Sequence, residues 1–299
     1  MKVQRQSYLP QERSDSNTYG IRNGSEREPT SRPGGRGAPV STESIVGYVL
    51  SSSVRSDVLT AVVAEPRSID GLIESIDASE SAVYNAVGDL ERRGLVRDHD
   101  DVWDATGSGQ LVSDLLEQQG NLCQLLSDDY WRDHDIFSLP RRFRLRLTEL
   151  ADAEVFRASD TDPHAVVREI CDRVERAGTN VDIVTPIYQA EYEAVMPDAA
   201  DARLVVDTTV ALEALDRVDS LEDVRQWEET DVRVLDIDVG VGVTENEVML
   251  SLPTIDSQYD SRTEVLAENE RAKAWGRDLY EYYWNRATPN EEFVAEHFG

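Results

Sequence analysis

From residue 41 onward apolar residues recur at helical spacing. Ser53 can cap a helix running through Ala64, with Val54, Val58, Leu59 and Val62 on one face. Pro66 ends it. Ser68 starts a second helix whose Ile69, Leu72, Ile73 and Ile76 are apolar, and Asp77-Ala78 makes a tight turn. Ser79 caps a third helix with Val83, Val87 and Leu90 at i, i+4 and i+7, closed by Gly94. Leu95-Val96 and Val102-Trp103 are short extended stretches flanking Asp98-His99-Asp100-Asp101.

Helix, helix, short turn, helix and two-stranded hairpin is the winged helix-turn-helix order. Residues 107–127 then predict a further helix through Leu111, Leu115, Leu122, Leu125 and Leu126. Beyond it the pattern alternates. Ala153–Arg157 reads as a strand, Pro163–Ala177 as a helix and Val181–Thr185 as a strand, followed by a helix around Glu191–Met196. Ala202–Asp207 is extended and Val210–Trp227 helical; Val232–Asp238, Gly240–Thr244 and Val248–Leu252 are strands, and Thr263–Ala287 is one long closing helix. Such alternation predicts an α/β domain with a mostly parallel sheet covered by helices. The expected organisation is a tail over 1–40, a winged helix-turn-helix over 41–106, a helical linker and dimerisation segment over 107–150, and an α/β sensor domain over 151–299.

Charge changes the picture in one respect. The chain has 299 residues and a formal net charge of −29. Its 59 acidic residues face 28 Arg and only two Lys, Lys2 and Lys273. A pI near 4.4 ordinarily argues against nucleic-acid binding. Acidic residues, however, stand on every predicted element rather than in one block, which marks a compositional style like that of salt-in halophiles. In about 1 M salt the screening length is roughly 3 Å, so self-repulsion is mostly suppressed. Only residues 1–40 are net positive, and their Pro33-Gly34-Gly35-Arg36-Gly37-Ala38-Pro39 run reads as a flexible, unfolded extension; a basic arm tracking phosphates is the sharper alternative. No apolar run is long enough to span a bilayer, no signal peptide is apparent, and Cys123 and Cys171 make neither a metal tetrad nor a disulfide framework. A soluble cytoplasmic protein is expected, with no cofactor and no metal.

The segment Ser68–Gly94 carries the sharpest chemistry. Val83, Ala86, Val87 and Leu90 form the buried stripe of the third helix; Glu80, Ser81, Tyr84, Asn85, Gly88 and Asp89 form the face offered to a groove. Asn can pair bidentately with adenine, and Ser or Tyr can donate to bases or phosphates. Arg55, Arg67, Arg92, Arg93 and Arg97 are the module's only cations and its natural phosphate contacts. The candidate DNA-binding set is Arg55, Arg67, Ser68, Ser79, Glu80, Ser81, Tyr84, Asn85, Arg92 and Arg97. Glu80, Asp89 and the carboxylates of the wing tip oppose that reading, and leave a protein-contact module as the alternative.

Catalysis finds little support. A phospholipase-D-like active site needs a His nucleophile beside a phosphate-holding Lys, and no His-x-Lys occurs. Asp133-His134-Asp135 reads as a capping and packing segment. Gly107-Ser108-Gly109 and Gly240-Val241-Gly242 lack phosphate-loop continuations and read as turns. Arg141, Arg142, Arg144 and Arg146 form a dense basic cluster that can neutralise nearby carboxylates. A small-molecule effector would sit at strand C-termini, which selects Thr185, Pro186, Tyr188, Asp207, Thr208 and neighbouring Thr209, with Ser251 on a late strand.

Three stretches carry a family resemblance: Ser79-Glu80-Ser81-Ala82-Val83-Tyr84 through Arg93-Gly94-Leu95-Val96; Tyr130-Trp131-Arg132-Asp133-His134-Asp135-Ile136 with Leu139-Pro140 and Leu147-Thr148-Glu149-Leu150; and Ala274-Trp275-Gly276-Arg277-Asp278-Leu279-Tyr280-Glu281-Tyr282-Tyr283. Through them residues 44–288 resemble an archaeal family of winged-helix transcriptional regulators, the methanogenesis-regulator type, abundant in haloarchaea. The resemblance implies a regulator of double-stranded DNA whose C-terminal α/β domain senses a ligand and whose sheet looks related to phospholipase-D-like and TrmB-type effector domains. The chain departs from the family pattern at Thr106-Gly107-Ser108-Gly109-Gln110, where a charged Gly-Arg turn is usual. One recognition helix covers a half-site, so a homodimer is expected. Leu111/Leu115/Leu122/Leu126 and Leu266/Trp275/Leu279/Tyr282 are its predicted interface stripes.

Overall fold

A computed structural model of the chain describes residues 44–195, 202–216 and 231–298. The tail expected over 1–40 lies outside these residues, as do Met196 and the latter part of the helix expected over Val210–Trp227.

Serine caps set the N-terminal elements. A short helix α1 (Ile45–Leu50), not anticipated from the apolar pattern, is capped by Ser44. Helix α2 (Ser53–Ala64) is capped by Ser52 rather than Ser53: the Ser52 hydroxyl accepts from the Arg55 amide at 3.4 Å. Strand β1 (Arg67–Ser68) leads into α3 (Ile69–Ser75), and α4 (Glu80–Arg92) follows the Ser79 cap. Val58, Leu59, Val62, Leu72, Val83 and Leu90 close one core between these helices. After Gly94, which adopts φ +70°, come β2 (Val96–His99) and β3 (Val102–Ala105). Asp100 and Asp101 join them, both at positive φ. Two such residues twist like the strands they connect, so the tip is a tight two-residue hairpin. β1 adds to β3, giving a three-stranded sheet in the order β1-β3-β2.

Helix α5 (Gly107–Leu125) grows directly out of this sheet. Thr106 caps it, accepting from the Gly109 amide at 3.0 Å while donating to the Gly94 carbonyl at 2.6 Å. A Cβ on Gly109 would lie 2.0 Å from the Leu95 carbonyl oxygen. Gly107-Ser108-Gly109 is thus the first turn of a helix in close backbone contact, not a loop. Val112 packs in the N-terminal core and Leu125 in the C-terminal one, so the helix is anchored at both ends.

Short helices α6 (Tyr130–Asp133) and α7 (Arg141–Arg144), with 3-10 turns at Ile136–Ser138 and Leu147–Leu150, lead to β4 (Glu154–Arg157). Then follow α8 (Ala165–Ala177), β5 (Val181–Thr185), α9 (Ala190–Glu193), β6 (Ala202–Asp207), α10 (Thr208–Asp216), β7 (Asp231–Leu235), β8 (Gly240–Val243), β9 (Val248–Ser251), β10 (Thr263–Ala267), α11 (Glu270–Trp284), β11 (Thr288–Pro289) and α12 (Asn290–Phe298).

The described strands of this half form one eight-stranded sheet in the order β11-β7-β6-β5-β8-β9-β10-β4. Only β5–β6 and β6–β7 run parallel; the other pairings are antiparallel. The sheet is therefore mixed and mostly antiparallel, correcting the expected mostly parallel one. The expected long helix also divides, since Thr263–Ala267 is a strand paired on both sides and Asn269 caps a separate α11 through the Ala272 amide at 2.8 Å. One face of the sheet packs on α11 and the segment 125–150, with Trp275, Tyr280, Phe143 and Leu139 at its centre. The other face carries α8 over Val181, Met249 and Leu266. Helices α10 and α12 cover the β6–β7 edge through Ala211, Leu215, Val234 and Phe293.

Candidate functional site

The exposed face of α4 presents Glu80, Ser81, Tyr84 and Asn85, with Tyr84 more than half exposed. The opposite face is locked by Val83, Ala86, Val87 and Leu90. Two of the expected contact residues hold the backbone instead. Ser68 accepts from the Gly71 amide at 3.2 Å and Ser79 from the Ala82 amide at 3.3 Å. Asp89, expected to face a groove, turns aside: it accepts from the Tyr48 hydroxyl and pairs with Arg92, and these partners hold its carboxyl below the usual range.

The arginines are engaged within the module. Arg67 pairs with Glu65 at 2.6 Å and Arg97 with Asp104 at 2.8 Å across the hairpin. Arg55 donates to Ser51 at 3.1 Å, and its guanidinium stacks on the Tyr48 ring, 3.7 Å from the centroid. Arg93 stacks on the same ring at 3.3 Å. Tyr48 thus gathers two cations and one carboxylate at the junction of α1 and α4. Sequence reasoning missed it because the helix carrying it is six residues long, with too little periodicity to register.

In the α/β half the candidate residues separate. Asp207 spends both carboxylate oxygens on backbone, accepting from the Thr209 amide at 2.8 Å and the Ile237 amide at 3.1 Å. Thr208 begins α10, and Tyr188 is exposed. Thr185 and Ser251 instead meet at a cavity of about 50 Å³ between the sheet and helices α8 and α9. Pro186 adjoins it, its Cδ lying 3.8 Å from where a Cβ on Gly240 would be.

Gly240 and Gly242 are not a turn; they lie on one face of β8 and make room for the cavity. A Cβ on Gly242 would come 2.7 Å from Met249 Cε, and one on Gly240 3.1 Å from Ser251 Cβ. Across the floor stands Glu264 of β10, buried, with Tyr192 and Tyr259 at the walls. Burial pushes the Glu264 carboxyl up to about 8 and both tyrosine hydroxyls above their usual range. The Ser251 hydroxyl, also buried, faces the Glu264 carboxyl and the Tyr259 hydroxyl and draws both down in part, without closing a full hydrogen bond to either. Glu264 does not stand out in the sequence because the apolar spacing of residues 263–287 reads as one helix. In a strand, Glu264 and Leu266 share one face, which makes an acid at that position conspicuous.

Other charged features have structural duties. His134 is buried, its Nδ1 2.9 Å from the Tyr130 carbonyl and its ring stacked on that of Tyr130. Arg146 pairs with Glu149 and Asp278 at 2.9 and 2.6 Å, and Arg142 stacks on Tyr282. Lys273 donates to the Glu245 carbonyl at 3.2 Å and pairs with Glu270 at 2.6 Å. Of the two predicted interface stripes, Leu111, Leu115, Leu122 and Leu126 on α5 are exposed, by 44% to 67%. Leu266, Trp275 and Leu279 are buried in the core and cannot meet a partner. No helix among the described residues is long and apolar enough to cross a membrane.

Comparison with known proteins matches two stretches of the chain. Residues 44–121 match the HVO_A0261 N-terminal domain, and residues 163–286 match the middle domain of the methanogenesis regulatory protein FilR1. Among curated proteins, the methanogenesis regulatory protein FilR1 of Methanothrix harundinacea (strain 6Ac) is 22% identical over 267 residues. That alignment covers 81% of this chain and 57% of the relative, so the chain spans little more than half of the curated protein it matches. Solved structures are more remote. The archaeal chromatin protein TrmBL2 aligns at 13% identity and a TM-score of 0.34, over 81% of this chain and 98% of its own. The methyltransferase CalO1 aligns at 13% identity and 0.22, over 64% and 61%. HmgR of Pseudomonas aeruginosa aligns at 11% and 0.23, over 78% and 97%.

Proposed function

We propose that the chain is an intracellular DNA-binding transcriptional regulator. Residues 41–106 form its winged helix-turn-helix reader, and the α/β half is a non-catalytic ligand sensor of the phospholipase-D-like or TrmB-type. The observation that carries the reading is helix α4. Its inner face is fixed in a core while Ser81, Tyr84 and Asn85 stand outward, on a chain whose matched relative is a regulatory protein. Bases are read by such a face. Phosphate attraction contributes less than usual, because Arg67, Arg92 and Arg97 already hold carboxylates. The exposed leucines of α5 supply the surface for a homodimer that presents two α4 helices to two half-sites.

Paired arginines and an acidic hairpin tip also favour a second reading, a protein-interaction module that keeps the fold without reading DNA. A mobility shift in molar KCl, against DNA from upstream of the protein's own coding sequence, separates the two. The regulator reading expects a complex that Asn85→Ala and Tyr84→Ala weaken by about 1–3 kcal/mol each without unfolding the chain. A folded dimer that shifts no DNA establishes the alternative.

A further inference from the structure

The cavity beneath α8 is a built site rather than a packing defect. Two glycines on β8 keep it open, and two buried polar groups stand in it: Glu264, and Ser251, whose hydroxyl adjoins Glu264 and Tyr259 without a full hydrogen bond to either. None of its lining residues is Lys, Arg or His, so no side chain in the cavity supplies a countercharge to Glu264. The remaining walls are largely aliphatic, from Ile170, Val174, Ile183 and Met249.

A buried carboxyl in apolar surroundings is costly to ionise without a cation. Burial accordingly raises the affinity of Glu264 for its own proton. A ligand that brings a positive charge removes that cost and forms the ion pair the protein leaves open. Tyrosine rings add attraction for the same charge, and the Ser251 hydroxyl can accept an ammonium hydrogen. Size sets the rest. A water-sized occupant needs about 10–15 Å³ of such volume, so a cavity of about 50 Å³ admits a molecule of roughly three to five non-hydrogen atoms.

We propose that this cavity binds a small aliphatic ammonium ion, held by Glu264 and Ser251 with its alkyl part against Ile170, Val174 and Met249. The proposal rests on the sensor part of the function proposed above and names its ligand class. A neutral alcohol of equal size forfeits the ion pair, and a carboxylate of equal size meets Glu264 as an anion.

Isothermal titration of the full chain in molar KCl with n-propylammonium, 1-propanol and propionate tests it. Saturable binding of n-propylammonium is expected, with the other two weaker by at least about tenfold. Glu264→Gln is the neutral match of the protonated acid and should lose n-propylammonium by a similar factor. Ser251→Ala and Tyr259→Phe should weaken it at least about threefold, and they decide the matter if Glu264→Gln does not fold. Equal binding of 1-propanol, undiminished binding in these variants, or no binding of any probe overturns the proposal. The titration reads no DNA. A chain that shifts DNA but ignores n-propylammonium refutes this ligand alone, whereas a chain that binds the amine but no DNA refutes the regulator reading alone.

Discussion

His134 Nε2 lies 3.1 Å from Asp260 Oδ2, joining the segment that follows α5 to the loop that precedes β10. The imidazole is buried, and the carboxylate also accepts from the Thr263 hydroxyl at 2.6 Å. His134, then Thr263 and the Arg262 amide, hold the Asp260 carboxyl down at about 2. A carboxyl depressed on folding contributes stability that is present above its ordinary value of 3.8 and is lost as pH falls towards 2. Asp260→Asn should therefore cost about 1–3 kcal/mol near neutral pH and much less near pH 2. Urea unfolding at the two pH values reads the difference; an equal cost at both means that the carboxylate charge contributes nothing.

Glu264 has the opposite sign. Its carboxyl is raised on folding, from 4.5 to about 8, because it is buried. Its contribution is fully present below its ordinary value and is lost as pH rises through about 8. Stability should fall across this window by on the order of a few kcal/mol. Glu264→Gln should flatten that slope, read as unfolding free energy at pH 6 and pH 9. An unchanged slope would show that Glu264 is ionised in the folded chain.

Gly109 is required by contact, not by backbone angle. Its helical position brings α5 onto the Leu95 carbonyl, and a methyl group there meets backbone that cannot swing away. Gly109→Ala should destabilise the chain by about 3 kcal/mol or more, whereas Gly120→Ala, with open space at its Cβ, should stabilise it by up to about 1 kcal/mol. Thermal unfolding of the pair checks the contrast.

The hairpin tip offers a gain. Asp100 and Asp101 both occupy the left-handed region, which Asn and Gly adopt at least cost. Replacing them with Asn-Gly should stabilise the hairpin by about 1 kcal/mol and remove two negative charges. If DNA passes near the tip, affinity should rise as well. Stabilisation with unchanged affinity would place the tip away from the DNA.

The helices between Ser68 and Gly94 were legible because local signals agree: a serine at each start, apolar residues at helical spacing, and a glycine at the end. The sheet was less so. Runs such as Val248–Leu252 are apolar on both faces, as parallel strands often are. Yet only Thr244–Glu247 separates β8 from β9, too short for the crossover that parallel neighbours need, so their antiparallel pairing stood in the sequence. The strand at Thr263–Ala267 was lost because its apolar residues merge in spacing with those of α11; Asn269, a good cap in the middle, was the boundary. Of the ligand candidates, strand-end reasoning reached Thr185 and Ser251. It could not reach Glu264, Tyr192 or Tyr259, which only folding brings to the same space.

Helix α5 is a single rod of 19 residues with one end in each core. At 1.5 Å per residue it is roughly 28 Å long, so a tilt of about 10° at one end displaces the other by about 5 Å. Thr106 and the close contact at Gly109 allow no slack at the upper joint. Any repacking around Leu125 that tips the rod is thus delivered as a lateral shift of the N-terminal core and of α4. The two cores are coupled through the angle of the lever between them.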